Sequence, residues 1–143
     1  MGRALWRDLV VGFAGQLAEL RLGFTQLAAL YAVDDRMTLT IAELAERIGR
    51  SASATSRLVE GLVRRGWLER AVEVADRRQR TLTLTEAGAA LLGTVDRARA
   101  EEFLAVVRPL PEPERALVAM GVAALADHAI TRRGRLIKAP TGG

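Results

Sequence analysis

The side chains of this chain that can do chemistry are arginines, hydroxyls and a few carboxylates, and their grouping suits the holding of an anion. The densest group is the run Ala75-Asp76-Arg77-Arg78-Gln79-Arg80. Three arginines on one short loop are costly to cluster unless something anionic receives them. Asp76 can pair with Arg78 and orient its guanidinium, and a fixed planar fork fits a narrow groove of negative potential. The second group is Ser51, Ser53, Ala54, Ser56 and Arg57. Small and hydroxylated side chains let a backbone approach a surface closely, and Arg57 is long enough to reach a guanine edge or a phosphate. Taken alone, each group is equally an ordinary solvated charged surface.

Reaction chemistry finds little to use. His128 is the only histidine and there is no cysteine, so Cys-His pairs, multi-histidine metal sites and thiolate zinc sites are excluded. Asp34 and Asp35 are adjacent and read as solvated acids in a loop. The glycines between Gly61 and Gly66 lack the strand-then-helix setting of a phosphate loop. No enzyme activity, metal or cofactor is expected.

The elements that must carry these groups are well marked. Thr40 and Glu43 form a T-x-x-E capping box, and Ile41, Leu44, Ala45 and Ile48 fall on one helical face. Gly49 ends that helix. Ser51 or Ser53 caps the next, whose inward positions are Thr55, Leu58, Val59 and Leu62. Its outward positions are Ser53, Ala54, Ser56, Arg57, Glu60 and Arg64, and Gly66 closes it. Two capped helices around a Gly-containing turn are the cue for a helix-turn-helix. A strand then begins at Trp67-Leu68, and Thr81-Leu82-Thr83-Leu84-Thr85 alternates cleanly enough for a second. The arginine-rich loop is the tip between them, which makes the span a winged helix-turn-helix.

The flanks supply helices. Trp6, Val10, Phe13, Leu17 and Leu20 are spaced 4, 3, 4, 3, as on a helix that packs against another. Thr85 caps a long helix through Leu91, Leu92, Val95 and Ala98 to about Val107. Pro109, Pro111 and Pro113 break it, and Pro113 suits the first turn of a last helix carrying Leu117, Val118, Met120, Val122 and Leu125. Residues 132–143 form a basic tail, read as flexible.

Composition agrees. The chain has 143 residues, half of them hydrophobic, with a net charge of +4. From Arg50 to Arg80 eight arginines face four acids, a local excess equal to that of the whole chain. Such local charge favours phosphate binding with counterion release. With no signal peptide and no apolar run long enough to cross a bilayer, the protein is read as cytoplasmic. Richness in Ala, Arg, Leu and Gly suggests a bacterial source.

In combination, LTIAELAERIG, SASATSRLVEGLVRRGWLER and DRRQRTLTLTEAG resemble the MarR (multiple antibiotic resistance regulator) family of winged-helix transcription factors. The wing signature of that family is matched by Asp76, Arg78, Leu84, Thr85 and Gly88. The chain departs from it in having Ala52 where many relatives carry Pro and Thr55 where they often carry an apolar residue. The resemblance implies a mainly α fold with a small β-hairpin wing. The winged helix-turn-helix (24–88) is flanked by dimerisation helices (1–22 and 89–131) in a single domain (1–143). It implies a homodimeric, sequence-specific regulator of transcription, a repressor, that binds double-stranded DNA at a pseudo-palindromic operator. By the resemblance Ser53, Ala54 and Arg57 would face the major groove and Arg78, braced by Asp76, would enter the minor groove, with Ser51, Ser56, Arg77 and Arg80 completing the DNA-binding set. It further implies a small aromatic or apolar effector bound near Phe13, Leu17, Phe24, Leu27 and Tyr31, with Arg7 or Arg21 as carboxylate partner. Some relatives sense oxidants through a cysteine, which this chain lacks. Two other readings stay open: an effector-independent architectural winged-helix DNA binder, and a winged-helix protein-interaction module, against which Arg57 and the wing arginines argue.

Overall fold

Local capping signals set the element boundaries along the chain. The structure, a computed structural model, describes residues 3–36, 39–72 and 80–138. In order these form α1 (Arg3–Glu19), α2 (Phe24–Arg36), β1 (Leu39–Thr40), α3 (Ile41–Ile48), α4 (Ala52–Arg64), β2 (Leu68–Val72), β3 (Arg80–Leu84), α5 (Glu86–Val107) and α6 (Glu112–Lys138).

Three of the helices end in the same device. At α3, Gly49 is left-handed (φ 65°), and the Gly49 and Arg50 amides donate to the carbonyls of Glu46 (3.3 Å) and Ala45 (2.9 Å). At α4, Gly66 (φ 72°) plays the same part, with Gly66 and Trp67 bonding back to Val63 and Leu62. These paired bonds satisfy carbonyls that the helix leaves without donors. At α1 the left-handed position is Arg21 (φ 49°), a residue with a Cβ, while Leu22 donates to Leu17 at 2.9 Å.

The capping box of α3 is present in both directions: the Glu43 amide donates to Thr40 Oγ1 (3.2 Å) and the Thr40 amide to Glu43 Oε2 (2.8 Å). Ser51 caps α4, accepting from the Ala54 amide at 3.2 Å. Thr55, fully buried behind it, places its hydroxyl on the Ser51 carbonyl at 2.9 Å. A buried hydroxyl needs such an acceptor, so Thr55 fits where an apolar residue was the alternative.

The sheet has the order β1-β3-β2, antiparallel throughout. Leu68 opposes Leu84 and Val72 opposes Arg80, which forms the base of the expected hairpin. The third strand was not anticipated. Leu39 and Thr40 pair with Leu82 and Thr81, so β3 is central and Thr81, polar in the alternating pattern, is buried.

By contacts the chain divides into two compact units, Met1–Ala100 and Glu101–Gly143, the division falling within α5. The first unit holds the core: Leu17 and Leu22, Leu27, Leu30 and Val33 of α2, Leu44 of α3, Val59 and Leu62 of α4, Leu68 and Leu82 of the sheet, and Leu92 and Val95 of α5. Full burial of each such side chain is worth about 1.5–3 kcal/mol over exposure. Asp34 and Asp35 belong to the last turn of α2 and not to a loop; Asp35 pairs with Arg47 of α3 at 2.5 Å.

In the second unit Arg108 pairs with Glu101 at 3.2 Å, and the Pro111 carbonyl accepts from the Glu114 and Arg115 amides as α6 begins. Pro113 sits in that first turn, where its missing N–H costs nothing. The backbone of α6 continues to Lys138, past the boundary at 131 drawn from the sequence.

Candidate nucleic-acid interface

The exposed side of α4 is a single row. Ser53, Arg57, Glu60 and Arg64 are all exposed, and at about 100° per residue they fall within an arc of roughly 60°. Thr55, Val59 and Leu62 on the opposite side are buried at 0%. The helix is therefore fixed in rotation about its axis by its core contacts. Arg57 and Arg64 are exposed and, among the described residues, have no hydrogen-bond or ion-pair partner. Ala54 and Ser56, expected to be outward, are only half-exposed flanks of the row. The Ser51 hydroxyl is engaged as the helix cap and lies 3.3 Å from that of Ser53.

The wing is seen at its base. Arg80 opens β3 opposite Val72. Asp76, Arg77 and Arg78, the expected wing contacts, lie outside the described residues.

Behind α4 the turn Arg65-Gly66-Trp67 joins four elements. Thr85 Oγ1 donates to the Gly66 carbonyl at 2.5 Å and the Thr85 amide to the Trp67 carbonyl at 3.2 Å. Thr85 then caps α5, accepting from Gly88 at 3.0 Å. Arg65 reaches the end of α1, donating to the carbonyls of Arg21 (2.6 Å) and Leu20 (3.2 Å), with its guanidinium 3.6 Å from the Trp67 ring centroid.

The five residues expected to line an effector site do come together. One cavity of about 410 Å³ is lined by Phe13, Leu17, Phe24 and neighbouring α1 residues; a second of about 390 Å³ by Phe13, Phe24, Leu27 and Tyr31. Phe13 and Phe24 meet edge to face, centroids 6.5 Å apart. The cation shared by both cavities is Arg99 of α5, its guanidinium 4.5 Å from the Phe13 ring. Neither Arg7, paired with Asp8, nor Arg21 lines either cavity. The Tyr31 hydroxyl donates to the Asp96 carboxylate. Burial, that hydrogen bond and the negative charge of Asp96 hold the phenol well above its ordinary range, against an opposing pull from Arg99. Asp96 and Arg99 were missed from the sequence. The signal for them was that Leu92 and Val95, both buried, continue on the same face of α5 into Asp96 and Arg99.

Among the described residues no cluster could hold a metal ion, and no helix is long and apolar enough to cross a membrane.

A capped helix-turn-helix, a three-stranded sheet with a hairpin, and flanking long helices define a winged helix-turn-helix protein. Residues 22–79 match the model of the MarR family, to which this part of the chain is similar. The fold is shared with RV1404 from Mycobacterium tuberculosis (25% identity, 87% of this chain and 86% of that one, TM-score 0.75). YusO from Bacillus subtilis is similar to the same extent (24%, 87% and 89%, 0.75), as is Staphylococcus aureus MepR, solved in complex with DNA (19%, 89% and 96%, 0.74). No curated protein matches the chain.

Proposed function

We propose that this chain is a cytoplasmic repressor that binds a pseudo-palindromic duplex operator as a homodimer. The observation that carries the reading is the row on α4: Ser53, Arg57 and Arg64 exposed, the arginines unpaired among the described residues, on a helix locked at both ends by caps. A helix presented in this way fits the major groove. Arg57 would read a base edge, Ser53 and Ala54 would permit close approach, and Arg78, oriented by Asp76, would enter the minor groove beside it. MepR, of the same fold, is known bound to DNA, which supports the reading.

Dimerisation would use the apolar residues of α6, several of which are mostly exposed: Leu117 (67%), Met120 (70%) and Leu125 (72%). An effector would occupy the cavities lined by Phe13, Leu17, Phe24, Leu27 and Tyr31. Their walls are apolar with one cation, Arg99, which suits an aromatic acid. Such a ligand acts only if it prefers the DNA-incompetent state.

Selection of bound duplexes from random DNA tests the core of the proposal. An enriched two-fold symmetric motif with half-site centres about one helical turn apart is expected, with binding that weakens steeply as salt rises. No preference over random duplex at moderate salt overturns it. Titrating aromatic acids into the complex separates an effector-controlled regulator, in which DNA is released, from an architectural binder, in which it is not.

A further inference from the structure

Arg64 and Arg65 are adjacent in sequence and face opposite tasks. Arg64 stands in the exposed row of α4. Arg65, at the C-terminal cap of that helix, turns its guanidinium onto its own chain: Nη1 to the Arg21 carbonyl at 2.6 Å, Nη2 to the Leu20 carbonyl at 3.2 Å, and the flat face over Trp67 at 3.6 Å. Both carbonyls belong to the corner that ends α1. Carbonyls there lack intrahelical donors and carry the negative end of the helix dipole, so a cation is favoured. The corner is held by a left-handed Arg21, a conformation that residues other than glycine seldom adopt. A guanidinium can make two divergent hydrogen bonds and stack at once; an ammonium cannot.

The same turn binds Thr85 through the carbonyls of Gly66 and Trp67. The ends of α1 and α4 and the starts of β2 and α5 thus meet at three residues. Of these four elements, α1 and α5 line the cavities and α4 carries the outward arginines.

We propose that Arg65 is a positioning residue for DNA recognition: it clamps the end of α4 to the corner of α1, fixes the pose in which Ser53 and Arg57 meet a duplex, and makes no phosphate contact. The inference rests on α4 being the DNA-reading helix. Counting charge would place Arg65 among the residues that attract DNA; its hydrogen bonds place it in the scaffold.

The test compares wild type with R65A, R65K and R64A on a selected duplex and on a scrambled one, across a salt series, at a temperature where each protein is fully folded. R65A and R65K are expected to lower the ratio of specific to non-specific affinity roughly tenfold, as loss of charge-assisted hydrogen bonds allows. The slope of log affinity against log salt should remain that of wild type. R64A serves as the charge-removal control: a lost phosphate contact lowers that slope by about 0.9 and weakens both duplexes alike. If R65A shows that lowered slope with an unchanged ratio, Arg65 touches DNA and the proposal is wrong. If folded R65A keeps both ratio and slope, the clamp is packing alone and the proposal is equally wrong. Should R65A not fold, R65K and Trp67→Leu, which removes the stacked ring, carry the same readout. Wild-type protein with no preference between any duplexes is a separate result, which removes the DNA reading and this inference with it.

Discussion

A Cβ built on Gly88 would lie 2.2 Å from the carbonyl oxygen of Trp67 and 2.6 Å from Leu84 Cδ2. The first turn of α5 therefore packs directly on the backbone that leaves α4, and Thr85 bridges the two. A backbone carbonyl cannot swing aside as a flexible side chain would, so Gly88→Ala must displace the start of α5. Overpacking of this kind costs about 1–3 kcal/mol. Urea denaturation should show the midpoint falling with the slope unchanged; an unaltered midpoint would contradict the close approach.

Arg57 is expected to act at one place in the operator. Arg57→Ala should cost about 1–3 kcal/mol in specific binding and relax the preference at one position per half-site. Because Arg57 has no partner among the described residues and lies opposite the buried Thr55, Val59 and Leu62, its removal should leave the melting temperature within the small range of surface substitutions. Selection of bound sequences with the variant reads both the position and the loss. An unchanged base preference would remove Arg57 from the readout.

Tyr31 is the only tyrosine, so alkaline titration of tyrosinate absorbance reports it alone. Its phenol is half-buried, bonded to Asp96, and held above the ordinary value of 10. A pKa raised on folding contributes stability that is complete below the unfolded value and lost as pH climbs through the folded one. The native protein should therefore stay protonated through pH 10 and lose stability above it, as the unfolded chain ionises first. Asp96→Asn removes the negative charge, so ionisation should move back toward 10. A wild-type midpoint already at 10 would show that the Tyr31–Asp96 pair is not formed.

The helix-turn-helix was legible because its determinants are local. Thr40, Glu43, Gly49, Ser51 and Gly66 act within a few residues of themselves, and capping chemistry reads directly from their spacing. What was not legible depends on distant partners. The short strand Leu39–Thr40 exists because it pairs with Leu82 and Thr81; nothing in two residues announces it. Arg65 reads as one more basic residue until Leu20 and Arg21 are brought beside it. Phe13, Leu17, Phe24, Leu27 and Tyr31 line two neighbouring cavities, and sequence proximity alone points to Arg7 or Arg21 as the cation beside them, neither of which lines either cavity. Arg99 arrives instead because the core face of α5 extends one turn beyond Val95.

Dimerisation is best tested on α6, and the burial pattern decides which residues to change. Leu17, an obvious choice from the spacing on α1, is a core residue at 7% exposure. A charge there would unfold the first unit and say nothing about assembly. Met120 and Leu125 are 70% and 72% exposed, so Met120→Glu and Leu125→Glu add a charge at water-facing positions without touching that core. Monomers rarely leave a broad apolar surface uncovered, and Leu117 and Val122 extend this one along the same helix. Sedimentation should therefore find the wild type dimeric at micromolar concentration and the double variant monomeric with its helical content retained. Operator affinity should fall with the loss of the dimer, since two half-sites are then engaged independently. A well-folded wild-type monomer at that concentration, still bound to a symmetric site, would refute the assignment of α6 to the dimer interface.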